Sequence, residues 1–266
     1  MPFGRRVNDG IFNMYMRKKG HTMKKILKIT GITLLAIIIL AFGAFYTWSR
    51  FTYGPSEALK KQMKIEQVDH KNGVYSFEAS KSDTGIILYP GAKVEPLAYA
   101  YLGNALMKKG YSVFIPDMPF SFAIFNTRKA EDILKSHPAI KHWYIGGHSL
   151  GGTAAAMYAE KNQSKLDGLF FLASYPASDD LKQASLQVLS ISGEKDGLAT
   201  REKIKKSKKQ LPPQTVYHEI KGGNHAQFGM YGKQKGDQPA DIPVLTQQKD
   251  IVQTMLEWLK PAKKLP

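Results

Sequence analysis

HWYIGGHSLGGTAAA, residues 142–156, passes from an apolar run through glycines, a histidine and a serine into a series of small residues. An apolar run of this length closed by glycine reads as a buried strand, His142 to Gly146, and the small residues that follow read as a helix, Leu150 to Glu160. Between them Gly147-His148-Ser149-Leu150-Gly151 has the spacing G-x-S-x-G. A hydroxyl perched on so tight a turn needs glycine two residues away on each side, because side chains there would collide with neighbouring backbone. The helix that begins at once turns the N–H of Leu150 toward any negative charge developing beside Ser149. A phosphate-binding loop is the competing reading, since GGHSLGGT (146–153) nearly fits G-x-x-x-x-G-K-[ST]. Gly152 stands where the lysine is required, which removes the phosphate-binding charge.

A serine hydroxyl is a poor nucleophile without a base, so this reading demands a histidine oriented by a carboxylate, each at the end of a later strand. Asp196 in SGEKDG (192–197) and His225 in GGNHAQFG (222–229) occupy such positions. Glu194, Asp179 and Asp180 are the rival acids. His148 is expected to point away along the turn, and His70, His137, His142 and His218 are expected to be solvated or packed. A second oxyanion donor is expected from Pro90-Gly91-Ala92-Lys93 at the N–H of Ala92, with Gly91 permitting close approach. The chain has no cysteine and no H-E-x-x-H, so no metal site is expected.

Working outward, strand, turn and helix recur. The strands are expected at Gly85–Tyr89, Tyr111–Ile115, His142–Gly146, Gly168–Ala173, Val188–Ser192 and Val216–Ile220, after an antiparallel edge strand over residues 74–79. The helices are expected from Pro96 to a stop at Gly110, then over Arg128–Ser136, Leu150–Glu160, Arg201–Gln210 and Gln247–Lys260, the last ended by Pro261. This alternation predicts an α/β fold with a mostly parallel sheet covered by helices on both faces, in which ligands meet the carboxyl ends of the strands. The lysine-rich run 203–209 reads as a solvated helix face. The loop 229–246, rich in Gly and Pro and placed after His225, is expected to wall the pocket.

Upstream, Ile29 to Trp48 is a 20-residue run without a charged side chain. As a helix it would extend roughly 30 Å, one hydrocarbon thickness. Residues 1–28 carry eight basic side chains against the single acid Asp9, so +7 of the chain's formal +16 sits ahead of that run. Tyr46 and Trp48 fall at its far end, where amphipathic rings favour the interface. The expected organisation is a basic cytoplasmic leader (1–28), a transmembrane helix (29–48), a stalk (49–72) and a catalytic domain (73–266) outside the cytoplasm. The rivals are a cleaved signal peptide, with Ala41-Phe42-Gly43 as a poor exit site, and an apolar helix buried in a soluble core.

With these residues in hand, the chain from Arg50 onward resembles the α/β-hydrolase superfamily, most nearly its small bacterial carboxylesterase-like and dienelactone-hydrolase-like members. YPGAKVEP (89–96), GGHSLGG (146–152), SGEKDG (192–197) and GGNHAQFG (222–229) resemble its oxyanion turn, nucleophile elbow, acid loop and histidine loop. The order Ser149, Asp196, His225 is that superfamily's order. Dienelactone hydrolases use a cysteine nucleophile, which this chain lacks, so their substrate does not carry over. The segment 174–187 is too short for a cap domain. The resemblance implies a membrane-anchored serine hydrolase acting on an ester or related acyl bond of a small-molecule or lipid-like substrate. It implies no cofactor, no nucleic acid and no obligate protein partner. An acyltransferase or peptidase on the same residues, or a binding module that keeps the fold without turnover, are the alternatives.

Overall fold

The computed structural model describes residues 3–259. The first two residues of the expected leader, together with Lys260 and Pro261 at the expected end of the last helix, lie outside them. Two compact units divide at residue 50.

The first unit is one helix, α1 (Phe3–Ser49). It contains a stretch, Phe12–Ser49, long and apolar enough to cross a membrane. Within it Thr33 Oγ1 donates to Ile29 O at 3.0 Å and Thr47 Oγ1 to Gly43 O at 2.9 Å, bonds that stay inside the helix. The expected boundary at residue 29 is not a break in the helix, since the lysines and arginines before it are good helix formers.

The second unit, from Arg50 on, is built around an eight-stranded sheet of order β1-β2-β4-β3-β5-β6-β7-β8. The strands are β1 (Asp69–Lys71), β2 (Val74–Phe77), β3 (Thr84–Tyr89), β4 (Ser112–Pro116), β5 (His142–His148), β6 (Gly168–Leu172), β7 (Gln187–Gly193) and β8 (Val216–Ile220). β1 and β2 are antiparallel; every pairing among the other six is parallel. The helices are α2 (Glu57–Lys60), α3 (Ala100–Met107), α4 (Lys129–Ser136), α5 (Leu150–Lys161), α6 (Arg201–Ser207) and α7 (Val244–Leu259). The lysines of the run 203–209 are exposed, with Ile204 and Ser207 buried between them.

Because successive side chains of a strand point to opposite faces, the apolar strands feed two separate cores. Ile86, Leu88, Tyr144, Phe170 and Leu172 pack with Leu102 of α3 and Ile251 and Met255 of α7. Ile87, Tyr89, Ile145, Leu169 and Phe171 pack with Ala130 and Ile133 of α4 and the alanines of α5. Phe170 and Phe171 are both fully buried, one in each core, and each such ring stabilises the fold by about 1.5–3 kcal/mol.

The expected stalk is corrected by this structure. Leu59 is fully buried and Ile65 nearly so, Tyr53 N donates to Lys93 O at 2.6 Å, and Glu95 N donates back to Tyr53 O at 3.0 Å. Residues 50–72 therefore belong to the folded unit, and they add β1 to the sheet edge. The region is polar with isolated apolar residues, and its partners are distant in sequence, from Lys93 and Glu95 against Tyr53 to Met230, whose carbonyl accepts from Ser56 N at 2.7 Å.

Candidate active site

The sheet's central strand, β5, runs without interruption into a turn at Ser149, where φ is 51° and ψ −127°. A non-glycine residue held there costs about 1–3 kcal/mol, and three contacts hold it. Ser149 N donates to Leu172 O at 3.0 Å, while Ser149 O accepts from Ser174 Oγ at 2.5 Å and from Gly152 N at 3.0 Å. Gly147 and Gly151 are obligatory here: a Cβ on Gly147 would lie 2.6 Å from Gly151 C, and one on Gly151 would lie 2.2 Å from Tyr89 O. The Ser149 side chain is thereby lifted off the carboxyl edge of the sheet, and the residue is half-buried.

Asp196 and His225 are brought together. His225 Nδ1 lies 2.8 Å from Asp196 Oδ2, with both side chains almost completely buried. The other carboxylate oxygen, Oδ1, accepts from Leu198 N at 2.8 Å and Ala199 N at 2.6 Å. Since the carboxylate accepts, the ring proton sits on Nδ1 and leaves Nε2 as a lone-pair acceptor. That Nε2 is buried and has no hydrogen-bond partner among the described residues. Ser149 is therefore not yet bonded to it. Such contacts commonly tighten only once substrate is bound.

The rival acids are elsewhere. Glu194 pairs with Arg201 at 3.4 Å and accepts from Gly222 N at 2.9 Å; Asp180 accepts from Ser178 Oγ at 2.8 Å, and Asp179 is exposed. His70, His142 and His218 pair with Asp117, Asp167 and Asp250, and His137 packs against Phe114. Among the described residues no cluster of three or more metal-ligating side chains occurs.

The two backbone donors expected for an oxyanion lie in turns that are otherwise satisfied. Around Ala92, Gly91 N donates to Tyr99 Oη at 2.9 Å, Lys93 N to Ser121 O at 2.8 Å and Val94 N to Gly91 O at 3.1 Å. The N–H groups of Ala92 and Leu150 donate no hydrogen bond among the described residues.

His148 departs from expectation. β5 continues to His148, two residues beyond its expected end, so period two places His148 on the Tyr144 face rather than away along the turn. It is fully buried, its ring centroid 4.5 Å from that of His225. Burial, and then the charge of His225, hold its pKa well below the usual 6.5.

Two further residues were not singled out by motif. Asp237, in the loop after His225, accepts from Gly197 N at 3.0 Å, His225 N at 3.3 Å and Ala226 N at 2.8 Å, tying the acid loop to the histidine loop. Gln247 of α7 accepts from Asn224 N at 3.0 Å and donates to Asn224 O at 2.8 Å. A glutamine on the buried face of an amphipathic helix is the one signal sequence offers for it. The loop 229–246 lines a cavity of about 470 Å³ with Asn224, Ala226 and Gln227, on a part of the histidine loop that excludes Ser149.

A family model, that of the "Alpha/beta hydrolase family", matches residues 85–249, more than half of the chain. No curated protein matches the sequence significantly. Among solved structures, an alpha/beta hydrolase enzyme from the metagenome of lagoon sediments at Mar Chica, Morocco, superposes with TM-score 0.58 at 16% identity, covering 73% of this chain and 98% of its own. Est1E from Butyrivibrio proteoclasticus gives 0.56 at 15%, covering 73% and 98%. The monoacylglycerol lipase of Paleococcus ferrophilus gives 0.57 at 14%, covering 70% and 98%. At these identities the likeness is one of fold.

Proposed function

The chain belongs to the alpha/beta hydrolase family, and from that premise we propose that it is a serine hydrolase cleaving a carboxylic ester or related acyl bond through an acyl-enzyme on Ser149. The observation that carries this reading is the buried His225–Asp196 pair at 2.8 Å, whose second ring nitrogen has no partner among the described residues and whose imidazole lies 4.5 Å, centroid to centroid, from that of His148, the residue before the positive-φ turn at Ser149.

In the first half-reaction Ser149 Oγ attacks the acyl carbon and its proton passes to His225 Nε2. The imidazolium so formed is stabilised by Asp196, which also fixes the ring orientation. The developing oxyanion takes the N–H groups of Ala92 and Leu150, donors that make no other hydrogen bond. Collapse of the tetrahedral species breaks the bond to the leaving alkoxide, which takes the proton back from His225. Water then repeats the sequence on the acyl-serine and releases the acid. The protein's own groups and water suffice for every step. Esterase and lipase neighbours share the fold, which supports ester chemistry without naming a substrate.

The apolar helix, the basic residues ahead of it and the aromatic residues at its far end support a single-pass anchor in the cell membrane. In that arrangement the N-terminus is cytoplasmic and the hydrolase unit lies outside. The test is fluorophosphonate labelling of the full-length protein in membranes, with hydrolysis of p-nitrophenyl esters of graded chain length. Labelling and turnover are expected in wild type and absent in Ser149→Ala. Failure of wild type to label while a general esterase labels alongside would overturn the reading.

A further inference from the structure

The fully buried His148 and Tyr99 take no part in the chemistry above, yet they bridge its two halves. Gly91 N donates to Tyr99 Oη at 2.9 Å, and Tyr99 Oη lies 2.8 Å from His148 Nδ1. The proton positions follow from one backbone amide. Gly91 N–H can only donate, so the phenol oxygen accepts from it. His148 Nδ1 is the only acceptor within reach of the phenol's own proton among the described residues, so a satisfied phenol donates there, and a neutral His148 carries its proton on Nε2. That Nε2 is buried and has no hydrogen-bond partner among the described residues.

The packing has no slack. A Cβ on Gly91 would lie 2.8 Å from His148 Nδ1 and 3.2 Å from Tyr99 Oη. The His148 ring is enclosed by Tyr99, His225, Phe228 and Tyr231. A second link runs beside the first, Met230 N donating to Ala98 O at 2.7 Å. Burying an imidazole with one nitrogen unpaired costs free energy that an apolar side chain in the same space would not.

We propose that Tyr99 and His148 are positioning residues: one directional hydrogen-bond chain, Gly91 N–H to Tyr99 O–H to His148 Nδ1, fixes the oxyanion turn relative to the end of β5, where His148 directly precedes Ser149. The chain also holds His148 as the neutral Nε2–H form, so no cation stands beneath His225 when that ring takes the serine proton. This rests on the serine-hydrolase reading for its kinetic consequence, but not for the proton placement.

Two measurements test it on the full-length protein in detergent micelles. The first is NMR of ¹⁵N-histidine-labelled wild type, with the His148 resonances assigned by their loss in His148→Asn. The Nε2–H tautomer is expected at neutral pH, and the Nδ1–H tautomer or an imidazolium would overturn the proposal whatever any variant does. The second is ester hydrolysis by Tyr99→Phe, expected to lose about 10- to 100-fold in kcat with KM within twofold, because a small misplacement of oxyanion donors acts on the transition state. A folded Tyr99→Phe enzyme with kcat within twofold of wild type would also overturn it. If Ser149 fails to label, the hydrolase reading falls while the tautomer measurement still decides the hydrogen-bond chain.

Discussion

Asp237→Asn should damage the site although Asp237 touches neither Ser149 nor the His225 ring. Its Oδ1 accepts from Gly197 N, His225 N and Gln238 N, and its Oδ2 accepts from Ala226 N. The amide replaces one acceptor with a donor. In the milder orientation the NH₂ group faces Ala226 N–H, so one charge-assisted bond is lost and the remaining three weaken to a neutral acceptor. A hydrogen bond to a charged group contributes about 1.5–3 kcal/mol. Because Asp237 is half-buried and water can enter, the total should be roughly 2–4 kcal/mol rather than the full sum. For a unit of this size each kcal/mol moves the melting midpoint by about 2–4 °C, so a fall of roughly 5–15 °C is expected. Two of the affected amides belong to His225 and Ala226, so kcat/KM should fall about 10- to 100-fold through misorientation of the base. Thermal melts of full-length protein in detergent, paired with short-chain ester hydrolysis, measure both. A variant within 2 °C of wild type, or one that melts early yet keeps kcat/KM within twofold, would refute the claim that this carboxylate aligns the two loops.

Ser149→Gly should abolish hydrolysis but raise the melting midpoint by about 2–4 °C, since glycine relieves a positive φ worth about 1 kcal/mol; an unchanged or lower midpoint would show the turn is unstrained. The depressed pKa of His148 makes stability pH-dependent on the acid side. Unfolded His148 takes up a proton below about pH 6.5 while the folded form does not, so stability present above that pH is lost as pH falls, by up to about 1.4 kcal/mol per unit. Urea titrations at pH 7 and pH 5 should show a smaller acid loss for His148→Asn than for wild type, and equal losses would contradict it. Asp196→Asn should lower kcat by orders of magnitude with Ser149 still in place, because the ring then loses the acceptor that selects its tautomer; retention of a tenth of wild-type activity would show that another acid serves.

The alternating order of elements was legible because β3 to β7 are buried on both faces and therefore written as short continuous apolar runs between glycine and proline signals. All seven expected strand starts fall within one residue of the observed ones, and β8 matches at both ends. α7 starts three residues before its expected beginning, at Val244, because Pro243 O accepts from Thr246 N and Gln247 N and so opens the helix. Residues 50–72 were not legible as part of the fold. Tyr53, Leu59 and Ile65 show no period of their own, and their burial is decided by surfaces that other segments supply. Ser149, Asp196 and His225 could be nominated because each follows the end of a parallel strand, where the topology gathers loops. His148 was misplaced for a concrete reason: ending β5 at Gly146 leaves the next two residues without a face, whereas extending it to His148 assigns one.

What joins these loops is a set of side chains standing in for regular backbone pairing. Asp237 serves three amides outside its own loop, Gln247 pairs both main-chain groups of Asn224, Ser174 holds the carbonyl of Ser149, and Tyr99 holds the amide of Gly91. Asp237, Gln247 and Tyr99 each satisfy loop backbone groups that have no other partner among the described residues, and a buried group left so would cost about 1–3 kcal/mol, while Ser174 adds a second donor to a carbonyl that Gly152 N also reaches. The same bond that rescues a loop amide also fixes where the neighbouring reactive group stands. Stability and alignment are therefore coupled at these four positions. Substitutions at Asp237, Gln247, Ser174 and Tyr99 should lower melting midpoint and kcat together, whereas a large-to-small change in the core near the amino ends of the parallel strands, such as Phe77→Leu, should lower the midpoint and leave kcat near wild type. Loss of kcat in Phe77→Leu as deep as in Gln247→Ala, at equal loss of midpoint, would mean that general softening of the sheet, and not these particular bonds, sets the geometry at Ser149.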